Sequence, residues 1–221
     1  MPARTRAVRP CGRVQDPPLR FAFYLLFLPR HFLLYKPFGY LSQFASAARA
    51  EKNKKFLGAL GDFPAGTMPI GRLDEDSEGL LLLTTDGRVS ERIRRPDVEK
   101  EYYAQVDGCI TDAAVARLRA GVEIVHRQEV YHTRPCEARR LEAAPELPPR
   151  GRKIRDERHG PTSWVSIAVT EGKFRQVRKM TAAVGFPTLR LVRVRVGAHT
   201  LGGLQPGEWR EVGELVAQEA V

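Results

Sequence analysis

Four acidic residues lie within five positions of one segment, GRLDEDSEGLLLLTTDG, which runs from Gly71 to Gly87. They are Asp74, Glu75, Asp76 and Glu78. A carboxylate held in a loop can act as a nucleophile, as a general base or as a ligand for a divalent cation. The chain as a whole is basic, with 36 Lys and Arg against 26 Asp and Glu. A concentration of acid in residues 71–78, the acidic loop, therefore indicates either chemistry or a local structural role.

Three interpretations of the acidic loop are open. The first is a polar turn whose carboxylates face water. The second is a D-x-D site, as in phosphohydrolases, in which Asp74 and Asp76 bind magnesium or supply an aspartyl nucleophile. Such sites follow an apolar strand, whereas here the apolar run GLLLLTT comes after Asp74. The third is a single nucleophilic or basic aspartate, Asp74, that faces a basic RNA-binding channel. Spacing alone favours the polar turn.

Residues 172–207 could supply one wall of such a channel, because they include no acidic residue. In the predicted helix KFRQVRKMTAAVG, three apolar residues recur at helical spacing and form the buried stripe: Val177, Met180 and Val184. The cationic side chains project from the other side: Arg175, Arg178 and Lys179. In the next strand, LRLVRVRV, alternation places Arg193 and Arg195 on one face. Such arrays suit the neutralisation of RNA phosphates, and a solvated cationic surface is the alternative.

Composition supports a folded, nucleic-acid-binding protein. With 221 residues and 43% hydrophobic content the chain can bury a sizeable core. A net charge of +10 predicts attraction to a polyanion. Nucleic acid is favoured over a membrane because no basic amphipathic helix with an aromatic face is present, and a basic surface kept for solubility is the alternative. The three cysteines and five histidines show no disulfide or metal-ligand spacing, so a reducing, cytoplasmic compartment and no metal are expected.

The pattern of elements predicts an α+β fold. Strands are predicted in HFLLYKPFGYL, GLLLLTT, EYYAQVDGCI, WVSIAVTEG and TLRLVRVRVGAHTLGGLQPGEWREV, and VEIVHRQEVYHTRPCEARRLE is predicted to form strands broken by a turn. Helices are predicted around Lys54–Leu60, in RVSERIRR, in TDAAVARLRAG with Thr111 as N-cap and Gly121 as stop, and in KFRQVRKMTAAVG. Because the helices are inserted singly, without a regular βαβ repeat, the sheet is expected to be mixed and largely antiparallel.

The chain is predicted to consist of one folded domain with short ends. Residues 1–30 are expected to be a flexible basic N-terminal extension, because they carry many arginines and the apolar run FAFYLLFL is too short to span a bilayer. Residues 31–215 are expected to form the catalytic domain, and residues 216–221 a C-terminal tail.

Three segments, in this order, resemble the motifs of the pseudouridine synthases. GRLDEDSEGLLLLTTDG is similar to the catalytic stretch of the family, KEYYAQVDG to its second motif and EGKFRQVRKMTAAVGFPTLRLVR to its third. The resemblance is to the branch that includes the ribosomal small-subunit enzyme and several large-subunit enzymes. LLYKPFGYLSQF, IRDERHGPTSW and LQPGEWREV most resemble members that act on the large subunit, and the likeness covers residues 31–213.

The resemblance implies a pseudouridine synthase fold and an isomerase that converts a specific uridine of large-subunit (23S) ribosomal RNA to pseudouridine. No S4-type RNA-binding domain is expected, since too few residues precede Leu33. Asp74 would be the catalytic aspartate, acting by covalent attack or by removal of a sugar proton. Arg178, from the Q-V-R motif, would keep Asp74 ionised. Tyr102 would stack on the uracil and help to remove the C5 proton. Tyr103 is the alternative ring, on the opposite face of the strand.

The resemblance also suggests how RNA is held. Arg72 is expected to fill the space left by the flipped uridine or to clamp a flanking phosphate. The other RNA-binding candidates are Lys36, Arg175, Gln176 and Lys179. Asp76 and Glu78 are expected to brace the loop, and Glu75 to be exposed. No cofactor or metal is implied, and the protein is expected to be a cytoplasmic monomer whose partner is large-subunit ribosomal RNA. A non-catalytic basic RNA-binding module is the rival function.

Overall fold

A computed structural model describes residues 28–154 and 157–215 of the chain. Within these residues, three α-helices accompany a large sheet: α1 (Gly87–Ile93), α2 (Asp112–Ala120) and α3 (Gln176–Ala183). The strands of the first half are β1 (His31–Lys36), β2 (Tyr40–Leu41), β3 (Lys55–Phe56), β4 (Met68–Pro69), β5 (Glu78–Thr84) and β6 (Lys100–Asp107). Those of the second half are β7 (Glu123–His126), β8 (Glu129–His132), β9 (Glu137–Leu141), β10 (Thr162–Val169), β11 (Thr188–Val196), β12 (His199–Thr200) and β13 (Trp209–Val212).

The main sheet has the strand order β13-β1-β5-β11-β6-β10-β9, with β4 paired to β5 and β12 to β11. Every pairing is antiparallel except that of β5 with β11. Two small pairs stand apart from it, the parallel β2–β3 pair and the β7–β8 hairpin. The mixed, largely antiparallel sheet with singly inserted helices confirms the predicted α+β class.

Both faces of the central strands are buried. All seven residues of β5 are buried, and Leu80 and Leu82 pack into one core cluster while Leu81 and Leu83 pack into another. The helices α2 and α3 cover a third cluster over β6, β10 and β11. Since burial of each large aliphatic side chain contributes about 1.5–3 kcal/mol, β5 is a rigid base for the acidic loop that leads into it.

Gly79 permits the close approach of β5 to β11. Its φ is +102°, in the region that favours glycine. A Cβ at this position would clash with the backbone oxygen of Arg193, and would come within 2.7 Å of the Arg193 nitrogen. The glycine that ends the acidic run is therefore required by the one parallel contact in the main sheet.

The predicted helix around Lys54–Leu60 is wrong. Lys55–Phe56 form β3, and Leu57–Ala59 make a single 3-10 turn. Leu57 is fully buried against β1 and β5, and glycines at 58 and 61 disfavour a regular helix, so tertiary packing decides the conformation. In contrast, α2 begins as predicted, since the Thr111 side chain accepts a hydrogen bond from the Ala114 amide, and it stops at Gly121 with φ +93°.

The predicted outward face of arginines on β11 is also wrong. Arg193 is 5% exposed, and its Nε donates to the Leu80 carbonyl at 2.7 Å. Arg195 makes ion pairs with Glu99 and Glu101 at 2.6 and 3.0 Å. β11 lies in the middle of the sheet, and a register shift between Arg193 and Arg195 interrupts the alternation on which the prediction depends.

The ends of the domain differ slightly from the predicted boundaries. Arg30 was assigned to the extension, yet it pairs bidentately with Glu211 at 2.7 Å, and its amide donates to the Thr85 hydroxyl. It therefore belongs to the folded domain. The rest of the predicted extension, apart from residues 28 and 29, and the predicted tail at 216–221 lie outside the described residues.

Candidate active site

A cleft of about 1300 Å³ opens where the acidic loop, β6, the β7–β8 hairpin and the start of α3 meet. Six of the residues predicted from the sequence line it: Arg72, Asp74, Tyr102, Arg175, Gln176 and Lys179. Lys36 and Arg178 are not part of its lining. Arg and Lys residues outnumber the acids along its walls, so the cleft is suited to hold a polyanion.

The acidic loop is held from below at Leu73. The Leu73 side chain is buried among the residues under β1 and β5. The Ser42 hydroxyl donates to the Leu73 carbonyl at 2.7 Å and accepts from the Leu73 amide at 2.9 Å. A tight turn follows, closed by a hydrogen bond from the Ser77 amide to the Asp74 carbonyl at 3.1 Å. These contacts fix the backbone of Asp74 at the rim of the cleft.

Asp74 combines partial burial with nearby cations. Its side chain is 26% exposed and its Oδ2 lies 3.9 Å from an amino nitrogen of Arg175. Burial raises the pKa of Asp74 above its ordinary value, and the Asp76 carboxylate adds to that shift. The charges of Arg175, Arg178 and Lys36 oppose it. Asp74 is thus a carboxylate of increased basicity, which suits a base or nucleophile.

Arg175 connects the two aspartates of the loop. Its guanidinium donates bidentately to Asp76 at 2.8 and 2.9 Å and also faces Asp74. To do so, Arg175 adopts a left-handed backbone, with φ 53° and ψ 34°, at the N-cap of α3. That conformation costs a residue other than glycine about 1 kcal/mol. The cation nearest to Asp74 is therefore Arg175 rather than the predicted Arg178.

Arg178 supports the acidic loop through contacts with Asp76 and Ser77. It donates to the Asp76 carbonyl at 2.8 Å and to the Ser77 hydroxyl at 3.4 Å, and it lies 3.5 Å from the Asp76 carboxylate. Its side chain is only 11% exposed. Burial lowers the pKa of Arg178, although Asp76 and Asp74 oppose the shift. Arg178 acts on Asp74 through charge and through the backbone of the loop, without a direct contact.

The remaining acids of the loop have structural partners. Glu78 is 1% exposed and accepts two hydrogen bonds from Arg190, with Arg150 3.3 Å away. Glu75 pairs with Lys54 at 2.8 Å in a half-exposed position. The predicted bracing roles of Asp76 and Glu78 are confirmed. The side chains that pair with them are arginines from the second half of the chain.

Tyr102 is one of the aromatic residues that line the cleft. In the sheet, Arg193 pairs with Gly79 on one side and with Tyr102 on the other, so Tyr102 lies two strands away from the start of β5. Its ring packs against two of the core clusters. Tyr103 points to the other side of the strand and lines separate grooves. Of the two rings, only Tyr102 can meet a ligand in the cleft.

Two predicted RNA contacts do not fit the structure. Lys36 is fully buried, and its ammonium donates to the carbonyls of Pro37 and Tyr40 at 3.0 and 2.7 Å. Burial lowers the pKa of Lys36 to about 8, against the pull of Glu78, Asp76 and Asp74. Gln176 is 5% exposed and donates to Glu171 at 2.6 Å. Both side chains are buried and form hydrogen bonds within the protein, so neither is placed to contact RNA. Arg72 is exposed at the rim and Lys179 lies on the wall, as expected for RNA contacts.

Sequence reasoning missed one wall of the cleft. Glu171 accepts hydrogen bonds from the Tyr131 hydroxyl, the Arg134 amide and Gln176. These bonds attach the β7–β8 hairpin to the start of α3. Lys100 was also missed; its ammonium donates to the Thr170 carbonyl, and burial lowers its pKa to about 8. Tyr131 and Glu171 are 40 positions apart in the sequence, so only the fold brings the hairpin and the start of α3 together.

The geometry disfavours the magnesium interpretation. Asp76 is held by two guanidinium groups, which leaves no free carboxylate pair at this point. Among residues 28–154 and 157–215, no group of three or more His, Cys, Asp or Glu residues could hold a metal ion.

Over the same residues, no helix has the length and hydrophobicity needed to cross a bilayer. A basic cleft lined by aromatic side chains, with the partly buried Asp74 carboxylate on its wall, is suited to an enzyme that acts on a nucleotide of RNA.

Comparison with known proteins gives the family. The sequence model described as RNA pseudouridylate synthase matches residues 30–183. The chain is 47% identical over 180 residues to the ribosomal large subunit pseudouridine synthase E of Xanthomonas campestris pv. campestris, which covers 80% of this chain and 92% of the relative. It is 32% identical over 187 residues to the ribosomal large subunit pseudouridine synthase B of Bacillus subtilis, covering 83% and 68%.

A solved structure supports the same assignment. A crystal structure of a pseudouridylate synthase superposes with a TM-score of 0.65 and 27% identity, over 84% of this chain and 70% of the other. The chain belongs to the RNA pseudouridylate synthase family. The predicted family and fold are therefore confirmed, and the protein is an RNA-modifying isomerase.

Proposed function

We propose that the protein isomerises a uridine of large-subunit ribosomal RNA to pseudouridine, with Asp74 as the catalytic residue. The observation that carries this proposal is the position of Asp74, partly buried, 3.9 Å from Arg175 and in the same cleft as Tyr102. Relatives with 47% and 40% identity are named for the large ribosomal subunit, which supports that substrate.

The reaction detaches uracil from its ribose, turns it and rejoins it through C5. It begins with Asp74, whose ionised carboxylate either attacks the nucleotide or removes a sugar proton. A higher pKa makes this carboxylate more basic, while Arg175 and Arg178 limit how far protonation at neutral pH removes the active form. Tyr102 then lies against the uracil and assists removal of the C5 proton.

RNA must present the target uridine outside its stack, at a cost of a few kcal/mol. Arg72 is exposed at the rim, directly before the buried Leu73. From there its guanidinium fills the vacated space or binds a flanking phosphate. Lys179 on the opposite wall binds the backbone of the same strand. Neither contact reads a base edge, so shape and charge would hold the RNA.

The proposal includes a cytoplasmic monomer that needs no metal or organic cofactor. An isomerisation changes neither the composition nor the oxidation state of the nucleotide. Acid–base chemistry and a transient covalent or glycal intermediate are sufficient for it. The desolvated carboxylate and the adjacent guanidinium groups supply those functions.

The test is to incubate the protein with large-subunit rRNA transcribed without modifications and to map pseudouridine with carbodiimide. A single new pseudouridine is expected, and the same position should be unmodified in cells that lack the gene. Salt-sensitive binding without any pseudouridine would instead support the rival, a non-catalytic RNA-binding module.

The acid limb of the pH profile should respond to Arg175. The isomerisation rate is expected to fall as pH drops through the pKa of Asp74, because the ionised form is required. Arg175→Gln removes the nearest cation and leaves the Asp76 charge with Arg178 alone, and both changes raise the pKa of Asp74 further. The acid limb should therefore move to higher pH in single-turnover rates. Arg134→Gln, which removes another cation from the cleft wall, should leave the limb in place. Equal limbs in both variants would contradict the role of Arg175.

A further inference from the structure

Phe174 is exposed in an unusual place. It is 64% exposed, and it is the only aromatic residue among the large hydrophobic side chains that are strongly exposed in the described part of the chain. It lies on the wall of the cleft, directly before Arg175. Leaving a ring of this size in water forfeits about 1.5–3 kcal/mol of burial. A ring exposed beside a functional cleft is typical of a binding surface.

The backbone around Phe174 keeps the ring outside. Arg175 has the left-handed conformation that directs its guanidinium to Asp76 and Asp74. Phe174 therefore belongs to the segment that turns into α3, and it joins none of the core clusters. The conformation that places the cation against the catalytic carboxylate also fixes the ring at the edge of the cleft.

Two lysines lie in this part of the cleft, and one of them contacts the Phe174 ring. The Lys179 ammonium lies 5.5 Å from the centre of the Phe174 ring and is held there by a hydrogen bond to the Val125 carbonyl at 2.7 Å. Lys173 lies over the Tyr131 ring at 4.4 Å. Both ammonium groups retain protons that can be donated to phosphate oxygens. An exposed aromatic ring with an ammonium group beside it matches a nucleotide, which carries a flat base and a charged phosphate.

The tip of the β7–β8 hairpin adds a cation at a conformational cost. The two-residue turn consists of Arg127 and Gln128, with φ values of 52° and 69°. Asn and Gly are the residues favoured at such positions, and an arginine there costs about 1–2 kcal/mol. Arg127 nevertheless lines the cleft. Strain of this kind is typical of residues retained for function.

We propose that Phe174, Lys173, Lys179 and Arg127 form a stacking platform for an unpaired RNA base that neighbours the target uridine. The base stacks on Phe174, and the phosphates on either side contact the lysines and the strained arginine at the hairpin tip. Because Arg175 links Phe174 to Asp74, a nucleotide on the platform is close to the one that reacts. This inference rests on the proposed function for the identity of the neighbouring uridine, while binding to the platform is independent of catalysis.

The platform is tested by the binding of fluorescein-labelled dodecauridylate, measured by anisotropy at two salt concentrations. Phe174→Ala is expected to weaken binding about 5- to 100-fold, the range that corresponds to loss of one stacked base. Phe174→Leu should also weaken binding, whereas Phe174→Trp should preserve it and its fluorescence should change on RNA addition. Val130→Ala removes a side chain that is 71% exposed on the same hairpin but outside the cleft, and it serves as the matched control.

Arg127→Asn separates binding from stability. Asn relieves the strained turn, so the melting temperature should be unchanged or higher. RNA affinity should fall, and the slope of log K against log salt should decrease in magnitude by about one, because one phosphate contact is lost. If Arg127 had only a structural role, neither the RNA affinity nor the salt slope would change.

Three outcomes would overturn the platform. They are no measurable affinity of the parent protein for dodecauridylate, affinity of Phe174→Ala within twofold of the parent, and an effect of Val130→Ala equal to that of Phe174→Ala. Pseudouridine formation on rRNA is measured separately with the parent protein. If that reaction fails while the Phe174 effects are present, the proposed function is rejected and the RNA platform stands.

Discussion

Asp74→Asn is expected to reduce pseudouridine formation by at least about 10³-fold while leaving the fold and RNA binding intact. The loss follows because an amide can neither attack the nucleotide nor remove a proton, and acid–base catalysis by one group contributes about 10²–10⁴-fold. The measurement is the single-turnover rate on unmodified large-subunit rRNA, with RNA affinity measured in parallel.

Asp74→Asn should not destabilise the protein. Burial raises the pKa of Asp74 in the folded state. Its ionised form therefore lowers stability at neutral pH, and this penalty fades as pH falls towards the unfolded pKa. The neutral amide avoids the penalty. Glu75→Gln is the matched control, since it removes the neighbouring charge that pairs with Lys54 at the surface, and its rate should stay within about twofold. More than a tenth of the parent rate in Asp74→Asn would reject the assignment.

Glu78→Ala is expected to cost about 3–5 kcal/mol of stability, because it leaves a buried guanidinium without its partner. Glu78 is 1% exposed, and it accepts two hydrogen bonds from Arg190, itself 6% exposed. Arg150, whose side chain is 11% exposed, lies 3.3 Å from the same carboxylate. The free energy of unfolding in urea measures the loss, and activity should fall with it, since Glu78 anchors the end of the acidic loop.

The partner variants define what Glu78 contributes. Arg190→Ala removes the cation, and a double-mutant cycle with Glu78→Ala should show that the double variant loses less than the sum of the single losses. Glu75→Ala is the exposed counterpart, for which about 0–1 kcal/mol is expected. A Glu78→Ala loss as small as that of Glu75→Ala would show that the buried pair does not hold the loop.

Sequence patterns predicted the fold where local signals and packing agree. The uniform apolar run of β5, the Thr111 cap and the Gly121 stop are local features, and each appears as expected. The predicted helix around Lys54–Leu60 is wrong because Leu57 packs into the core against β1. This tertiary contact cannot be seen in the local sequence pattern. The prediction that the β11 arginines share one face failed for a similar reason, since alternation in a sequence does not show that a strand lies at the centre of a sheet.

The site was predicted at the level of motifs, and less well at the level of contacts. Asp74 and Arg72, from the first motif, and Tyr102, from the second, line the same cleft. The nearest cation to Asp74 is Arg175 because a single left-handed residue reverses the direction of the chain before α3. Lys36 is buried, and its ammonium donates hydrogen bonds to two backbone carbonyls just after β1. Pairing over such distances depends on side-chain direction, which spacing in the sequence does not encode.

The partners of the acidic loop come late in the chain. Asp76 and Glu78 are neutralised by Arg175, Arg178 and Arg190, about a hundred positions further on. During synthesis on the ribosome, the loop emerges well before any of these arginines, so its carboxylates lack guanidinium partners until α3 and β11 have been made. The charge environment of Asp74 is therefore complete only after α3, which contains Arg178 and directly follows Arg175, has packed beside the loop.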